Sequence, residues 1–200
     1  MVNAARSRPG MERRAAVAAL LQERGDALVV TGLGSPSYDV HAAGDHHGNY
    51  YLWGAMGGAA LVGLGLAQAR PDRCVVVVTG DGEQLMGLGG LATIGVARPR
   101  NLKVVILDNG HYAETGMQRS HSGAGVSMEG VAAACGFAEA RRISSLAEVA
   151  ELARTLSQPA DGPCFYALDT GLEMPARSLP VRDAVFIKNR LRAHLGLAPQ

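Results

Sequence analysis

Two apolar runs stand out in the hydrophobic pattern of the chain. Residues 75–78 are four valines followed, after one threonine, by Gly-Asp-Gly at 80–82, and residues 102–107 are again mostly apolar before Asp-Asn-Gly at 108–110. Such runs are typical of strands buried on both faces, as in a parallel sheet. The segment between them, residues 84–97, predicts one crossover helix. We therefore expect two parallel strands that end at the same edge of a sheet.

The rest of the pattern predicts further helices and strands. Apolar residues at helical intervals indicate a helix at residues 11–24, ended by Gly25. The other predicted elements are a strand at 27–31, a buried helix that ends at Ala69, helices at 127–136 and 145–156, a strand at 163–169 and a basic helix at 183–195. Together they predict an α/β fold in three layers, with a parallel sheet and helices on both of its faces.

Three polar stretches are expected to be loops. Residues 32–37 leave the first strand, and Pro36 is expected to prevent a helix from starting there at once. Residues 41–51 contain three histidines and one aspartate, which predicts a polar loop. Residues 116–125 are rich in Gly and Ser, which predicts a mobile flap, and we call this segment the flap.

Length and charge indicate one domain without a nucleic-acid or membrane partner. The chain has 200 residues, 48% of them hydrophobic, and a net charge of +1 from interspersed charges. We expect a disordered lead at residues 1–10, a domain at 11–170, and a tail at 171–200 that packs on the same domain or on a partner.

Cysteine usage and the apolar windows favour the cytoplasm. The three cysteines, Cys74, Cys135 and Cys164, are far apart and lack a CxxC pair, so no disulfide framework is expected. The first residues show no apolar export signal. The most apolar window, residues 54–69, has 16 residues and five glycines, whereas a membrane-spanning helix needs about 20 apolar residues.

Oxygen ligands are predicted to converge at the sheet edge where the two apolar strands end. Asp81 and Asn109 follow these strands, with 26 residues between Gly82 and Asn109. A carboxylate and an amide oxygen suit Mg²⁺ or Ca²⁺ if further oxygens come from a phosphate, a carbonyl or water. This indicates a diphosphate ligand, although Asp-Asn-Gly is also an ordinary turn sequence.

The Gly-Asp-Gly and Asn spacing resembles the diphosphate and metal signature of thiamine-diphosphate enzymes, in their diphosphate-binding (Pp) domain. Residues 52–57, LWGAMG, are similar to the segment that holds the aminopyrimidine in thiamine-dependent decarboxylases. Residues 107–118 look like the matching stretch of sulfopyruvate decarboxylase beta subunits and of phosphonopyruvate decarboxylases. The resemblance covers roughly residues 11–170. It implies the thiamine-diphosphate-binding fold, with thiamine diphosphate and Mg²⁺ as cofactors.

The resemblance also implies roles for individual residues. The metal would be held by Asp81, Asn109 and the main-chain carbonyl of His111. Gly54 would accept a hydrogen bond from the cofactor's amino group, and Met56 would wedge beneath the bent cofactor as the residue that sets its reactive geometry. Further cofactor contacts are expected from Gly34, Ser35, Ala55, Gly80, Gly82, Glu83, Tyr112 and Ala113.

Two positions depart from the pattern of the resembling family. Glu83 stands where its members tend to carry a small residue, often serine, so only a backbone N–H contact to phosphate is expected there. Asp108 stands where the family often has asparagine, which alters the charge near the site without removing the ligand Asn109.

The substrate implied by the resemblance is a small anionic 2-oxoacid, which would be decarboxylated. Arg119 is the cation expected nearest its anionic group, with Gln118 as a helper. His121 and His47 are candidate proton carriers, because imidazole titrates near neutral pH. Arg119 replaces a proline expected in close relatives, so the particular 2-oxoacid stays open.

Two other readings of the polar loops carry less weight. Residues 32–37 contain Gly-x-Gly but have Ser37 where a dinucleotide-binding fingerprint has its third glycine. Asp45 and the histidines His41, His46 and His47 suggest zinc, yet adjacent histidines rarely both reach one ion. Exposed loop histidines are the plainer interpretation.

One essential part of a thiamine enzyme is missing from this sequence. The resembling enzymes use a glutamate from a separate pyrimidine-binding domain, and no segment here matches such a domain. We therefore expect a beta subunit that works with a separate alpha subunit, with the active site at their interface. Half of a thiamine-dependent carboligase, similar to acetolactate synthase, and a cofactor-binding regulatory subunit without its own turnover remain alternatives.

Overall fold

The computed structural model describes residues 10–200, which fold around one parallel sheet. The strands are β1 (Leu28–Thr31), β2 (Asn49–Tyr51), β3 (Val75–Gly80), β4 (Leu102–Asp108), β5 (His111–Tyr112), β6 (Gln118–Arg119), β7 (Glu139–Ile143) and β8 (Cys164–Asp169). Six of them form a sheet in the order β2-β1-β3-β4-β8-β7, and every neighbouring pair is parallel. Strands β5 and β6 form a separate antiparallel hairpin.

Helices cover both faces of this sheet. They are α1 (Arg13–Leu21), α2 (Ser35–Ala42), α3 (Ala59–Ala69), α4 (Asp81–Met86), α5 (Gly90–Ala97), α6 (Met128–Ala134), α7 (Leu146–Thr155) and α8 (Ala184–His194), with a 3-10 turn at Ala113–Thr115. The expected three-layer α/β fold is confirmed.

The valine run explains why there are two hydrophobic cores. Successive strand side chains point to opposite faces, so Val76 and Val78 belong to the core under α1 and α7. Val75 and Val77 belong to the other core, under α3, α5 and α6. The consecutive valines of β3 therefore place apolar side chains in both cores.

The register places the ends of the two central strands side by side. Strand β3 pairs with β4 from Val75–Leu102 through to Gly80–Leu107. Asp81 and Asn109 follow directly, so they lie at the same edge of the sheet. In open parallel sheets this is the edge at which ligands bind.

The expectation that Pro36 prevents a helix was wrong. Helix α2 begins at Ser35, and Pro36 occupies its first turn. A proline is tolerated there because the first N–H groups of a helix have no partner within it. The predicted loop at 41–51 is also shorter than expected, because it ends in strand β2.

The expected crossover helix at 84–97 is two helices, α4 and α5, with glycines between them. A Cβ on Gly87 would lie 2.0 Å from the main-chain oxygen of Gly57. The backbones approach so closely at this point that only glycine fits.

Strand β7 was missed because it is polar. Its sequence is EARRI, and it pairs only with β8 at the edge of the sheet. An edge strand with an exposed side has no need of a continuous apolar run.

The C-terminal segment packs against the same sheet. Ile187 of α8 joins one core and Leu191 joins the other. Near the start of the described chain, the Met11 N–H donates to the carbonyl of Asp169, the last residue of β8, and the Met11 carbonyl accepts from the Gly171 N–H. Of the predicted disordered lead, residues 1–9 lie outside the described part of the chain. None of the helices described at residues 10–200 is long and apolar enough to cross a bilayer.

Candidate functional site

A cavity opens at the carboxyl edge of the sheet, where β3 and β4 end. Its volume is about 670 Å³, including the part open to solvent. It is lined by ten residues of the predicted site: Ser35, Met56, Gly80, Asp81, Gly82, Glu83, Asn109, His111, Tyr112 and Ala113. Arg13 and Met86, which the sequence analysis did not single out, also line it.

Asp81 is the first residue of α4 and is 3% exposed. Its Oδ2 accepts hydrogen bonds from the Ser120 hydroxyl at 2.5 Å and the Ser122 hydroxyl at 2.9 Å. Burial, followed by the nearby charge of Asp108, raises the pKa of the Asp81 carboxyl. The flap is thus attached directly to the predicted metal ligand, a contact that sequence spacing does not reveal.

Asn109 and His111 form a tight turn at the end of β4. The Asn109 Oδ1 accepts a hydrogen bond from the His111 N–H at 2.9 Å. The turn-forming role considered from the sequence is therefore present in the structure. It is compatible with a ligand role, since an amide oxygen has two lone pairs.

The donor set at this edge fits a hard cation that takes most of its ligands from a bound molecule. Asp81 and Asn109 supply a carboxylate and an amide oxygen to the same cavity. Within residues 10–200, no cluster of three or more His, Cys, Asp or Glu side chains is arranged to hold a metal. Mg²⁺ commonly binds through one or two carboxylates plus phosphate oxygens, and these residues suit that arrangement.

Asp108 is fully buried behind Asn109, and the sequence analysis did not identify its partners. Its Oδ2 accepts a hydrogen bond from Arg142 at 3.0 Å, and its Oδ1 accepts one from Ser122 at 2.8 Å. Arg142 also contacts Glu129 and Asp169. Burial alone would lower the Arg142 pKa, but the Glu129 hydrogen bond and the nearby carboxylates raise it.

Glu83 lines the cavity, and its side chain is hydrogen-bonded to neighbouring loops. It is 8% exposed, and its carboxylate accepts hydrogen bonds from the Leu33 and Gly57 N–H groups. Burial raises its pKa. A small residue, which the resembling family tends to carry at this position, could not make these contacts, so the resemblance did not predict them.

Residues 54–58, which we call the Met56 loop, bring the Met56 side chain to the cavity. Gly54 and Gly57 have φ angles of +79° and +87°, a region that favours glycine. Met56 lines the cavity and is 46% exposed. Gly54 and Ala55 are exposed and lie outside the set of cavity-lining residues.

Gly34 is buried at the start of α2, with a φ of +72°, and it too lies outside the cavity lining. A Cβ there would lie 3.1 Å from the carboxylate of Glu114, whose residue does line the cavity. Gly34 thus leaves space for Glu114, which lines the cavity.

The predicted substrate and proton-transfer residues lie outside the cavity lining. Arg119 and Gln118 are exposed on β6. His121 is exposed in the flap, and its Nδ1 lies 3.0 Å from the Tyr112 hydroxyl. His47 is exposed in the turn before β2. The three cysteines are free, two of them buried.

The fold matches that of thiamine-diphosphate enzymes. The thiamine diphosphate-dependent 4-hydroxybenzoylformate decarboxylase of Rhodococcus jostii RHA1 superposes with a TM-score of 0.69 at 19% identity, over 86% of this chain and 35% of that one. At this identity the likeness shows the fold alone. On this fold, the cavity described above lies at the carboxyl edge of the parallel sheet, where open parallel sheets bind their ligands.

The sequence is specific about the family within the thiamine-diphosphate enzymes. Residues 32–167 match the thiamine pyrophosphate enzyme, C-terminal TPP binding domain family, and the chain belongs to it. It is 44% identical to the phosphonopyruvate decarboxylase of Streptomyces viridochromogenes over 81% of this chain and 42% of the relative. It is 42% identical to the sulfopyruvate decarboxylase subunit beta of Methanocaldococcus jannaschii over 55% of this chain and 58% of the relative. The chain thus spans about half the length of these curated relatives.

Proposed function

We propose that this chain is the beta, diphosphate-binding subunit of a thiamine-diphosphate-dependent 2-oxoacid decarboxylase. One observation carries the proposal: Asp81 and Asn109, at the ends of neighbouring parallel strands, line one cavity. Both residues lie inside the segment that matches the thiamine pyrophosphate-binding family.

The proposed cofactor is thiamine diphosphate with Mg²⁺. Asp81, Asn109 and the His111 carbonyl would hold the metal on the diphosphate. The N-termini of α2 and α4 both border the cavity, at Ser35 and at Gly80–Gly82, and their N–H groups suit an anion. When bound, the cofactor supplies the electron sink for decarboxylation, and the protein holds and orients it.

Another part of the cavity lining, at Met56, would contact the organic part of the cofactor. Met56 would support the bent cofactor, with Gly54 and Ala55 beside it. Elsewhere in the lining, Tyr112 lies close to Gly82, since a Cβ on Gly82 would approach the ring to 2.6 Å. We propose that Gly82, Tyr112 and Ala113 contact the diphosphate.

The substrate is proposed to be a small anionic 2-oxoacid. Arg119 and Gln118 lie within the flap, on strand β6, so they would reach the substrate only when the flap closes over the cavity. His121 is held near the cavity through Tyr112. It is the nearer candidate for a proton carrier, and His47 would have to act from the partner side.

A separate pyrimidine-binding alpha subunit is proposed as the partner. The relative from Methanocaldococcus jannaschii is named a subunit beta. Beside the cavity, Met56 and Met86 are 46% and 64% exposed. Apolar side chains on the rim of an open site suit coverage by another protein. The three free cysteines favour a reducing compartment for this complex.

Calorimetry tests the cofactor assignment. Thiamine diphosphate is titrated into the chain with Mg²⁺ or with EDTA. We expect Asp81→Ala to weaken Mg²⁺-dependent binding by more than about 100-fold, because even outer-shell changes cost about 10- to 100-fold. Asp26→Ala is the matched control, because Asp26 is exposed and lies 55 positions before Asp81 in the sequence. Unchanged affinity in Asp81→Ala would remove the metal assignment.

Reconstitution tests the subunit assignment. The chain is mixed with a candidate alpha subunit, and carbon dioxide release from sulfopyruvate and phosphonopyruvate is measured with and without an acceptor aldehyde. Release by the mixture alone supports the proposal. Normal turnover by the single chain contradicts a separate alpha subunit, and a product that requires the aldehyde indicates a carboligase.

A further inference from the structure

We propose that Glu83 is a positioning residue whose buried carboxylate fixes the Met56 loop, the β1–α2 loop and the end of β3 relative to one another. This inference rests on the proposed function for its consequence, because the three segments form the walls of the proposed cofactor cavity. The contacts themselves are independent of that function.

The two carboxylate oxygens of Glu83 bond to three separate segments. Its Oε2 accepts hydrogen bonds from the Leu33 N–H at 2.8 Å and from the Thr79 hydroxyl at 2.9 Å. Its Oε1 accepts one from the Gly57 N–H at 3.3 Å. Leu33 and Gly57 are 24 residues apart in the chain, so a single side chain joins two loops that no backbone ladder joins at these positions.

The surroundings of Glu83 are shaped for a carboxylate. A Cβ on Gly32 would lie 1.8 Å from Oε2 and 2.5 Å from the Thr79 hydroxyl, so this position must be glycine while Glu83 is present. The side chain makes no ion pair with any described residue, and all three of its partners are N–H or O–H donors. Removing the carboxylate would leave these donors buried without an acceptor, which is costly.

These contacts place the two ends of the cavity relative to each other. Leu33 precedes the N-terminus of α2, whose Ser35 lines the diphosphate side of the cavity. Gly57 follows Met56, which also lines the cavity, and its backbone contacts Gly87 at the end of α4. Because Glu83 and Asp81 lie in the same turn of α4, the carboxylate relates both loops to the proposed metal ligand. Glu83 acts through these loops and not on the reacting atoms.

Three variants test this role in the full chain. Glu83→Ala removes both acceptors, and Glu83→Gln keeps one oxygen but presents an NH₂ group to the remaining donors. Glu151→Ala is the matched control, because it makes the same substitution at an exposed glutamate of α7 that does not line the cavity. Amide hydrogen exchange at Leu33 and Gly57 is followed by NMR without cofactor, and binding of thiamine diphosphate with Mg²⁺ is followed by calorimetry.

We expect Glu83→Ala to accelerate exchange at both amides and to weaken cofactor binding about 10- to 100-fold, the value of a hydrogen bond to a charged group. Glu83→Gln is expected to keep one amide protected and to lose the other. Glu151→Ala is expected to leave exchange at both amides and the cofactor affinity unchanged.

Wild-type exchange at both amides in Glu83→Ala overturns the proposal, as does wild-type cofactor affinity in that variant. If Glu83→Ala fails to fold, exchange in Glu83→Gln decides between the outcomes. Faster exchange at one of the two amides supports the proposal, and wild-type exchange at both overturns it. If the wild-type chain does not bind thiamine diphosphate with Mg²⁺, the proposed function fails, and the exchange data still decide whether Glu83 holds the two loops.

Discussion

We expect Arg142 to stabilise the fold, because its guanidinium compensates the charge of Asp108, a buried carboxylate beside the proposed metal site. Asp108 is 0% exposed, and Arg142 contacts it at 3.0 Å with a side chain that is 25% exposed. Arg142→Met removes the guanidinium but keeps much of the apolar stem. The variant therefore removes the Arg142 guanidinium from beside the buried charge of Asp108.

The expected loss of unfolding free energy in Arg142→Met follows from the contacts of Asp108 and Arg142. Removing one partner of a buried ion pair costs about 3–5 kcal/mol. Asp108 would retain hydrogen bonds from Ser122 and from the Gly110 N–H. The other two carboxylates of the cluster, Glu129 and Asp169, are 21% and 23% exposed, so water can solvate them in part. We therefore expect the lower end of the range, about 3 kcal/mol, which corresponds to a fall in Tm of about 6–12 °C for a chain of this size.

Urea unfolding at pH 7 measures this cost, with Asp108→Asn and the double variant completing a thermodynamic cycle. Asparagine removes the buried charge, so Asp108→Asn with Arg142→Met should lose less stability than Arg142→Met alone, by 1 kcal/mol or more on the scale of about 0.5–3 kcal/mol typical of contacting pairs. If Arg142→Met unfolds within about 0.5 kcal/mol of wild type, or if the two changes simply add, the compensation argument is refuted.

Two further predictions concern the cavity wall and the C-terminal helix. Gly82→Ala would place a Cβ 2.6 Å from the Tyr112 ring, so the ring must move; we expect thiamine-diphosphate affinity to fall about tenfold, or about 1.4 kcal/mol, by calorimetry, and unchanged affinity would show that the ring position is unimportant. His46 and His194 have ring centroids 5.3 Å apart, and burial, reinforced by nearby arginine charge, lowers the pKa of both. The unfolded chain therefore binds protons first, so their stabilisation is complete above the unfolded pKa of about 6.5 and is lost as the pH falls below it. The urea midpoint should drop between pH 7.5 and 5.5, and the drop should shrink in a double His→Gln variant; an equal drop in that variant would place the pH dependence elsewhere.

Much of the fold followed from the sequence because its signals are local. The valine run predicted a strand buried on both faces, and helical intervals predicted α1 and α7, since each pattern requires burial on a particular side. Where a contact distant in the chain decides the local structure, the expectation was wrong. The crossover helix is broken where Gly87 meets Gly57. The expectation at Pro36 was wrong for a local reason, because the first turn of a helix tolerates a proline.

By itself, the sequence determined the sheet and the edge at which β3 and β4 end, because strand direction and loop position follow from the order of apolar runs. It also placed Asp81 and Asn109 at that edge. Only the tertiary structure decided how the neighbouring charges are arranged. Arg142 lies opposite Asp108, and Glu83 joins Leu33 to Gly57. These contacts link residues 24 to 50 positions apart, and no local pattern encodes them, because they depend on how separate loops meet above a finished sheet.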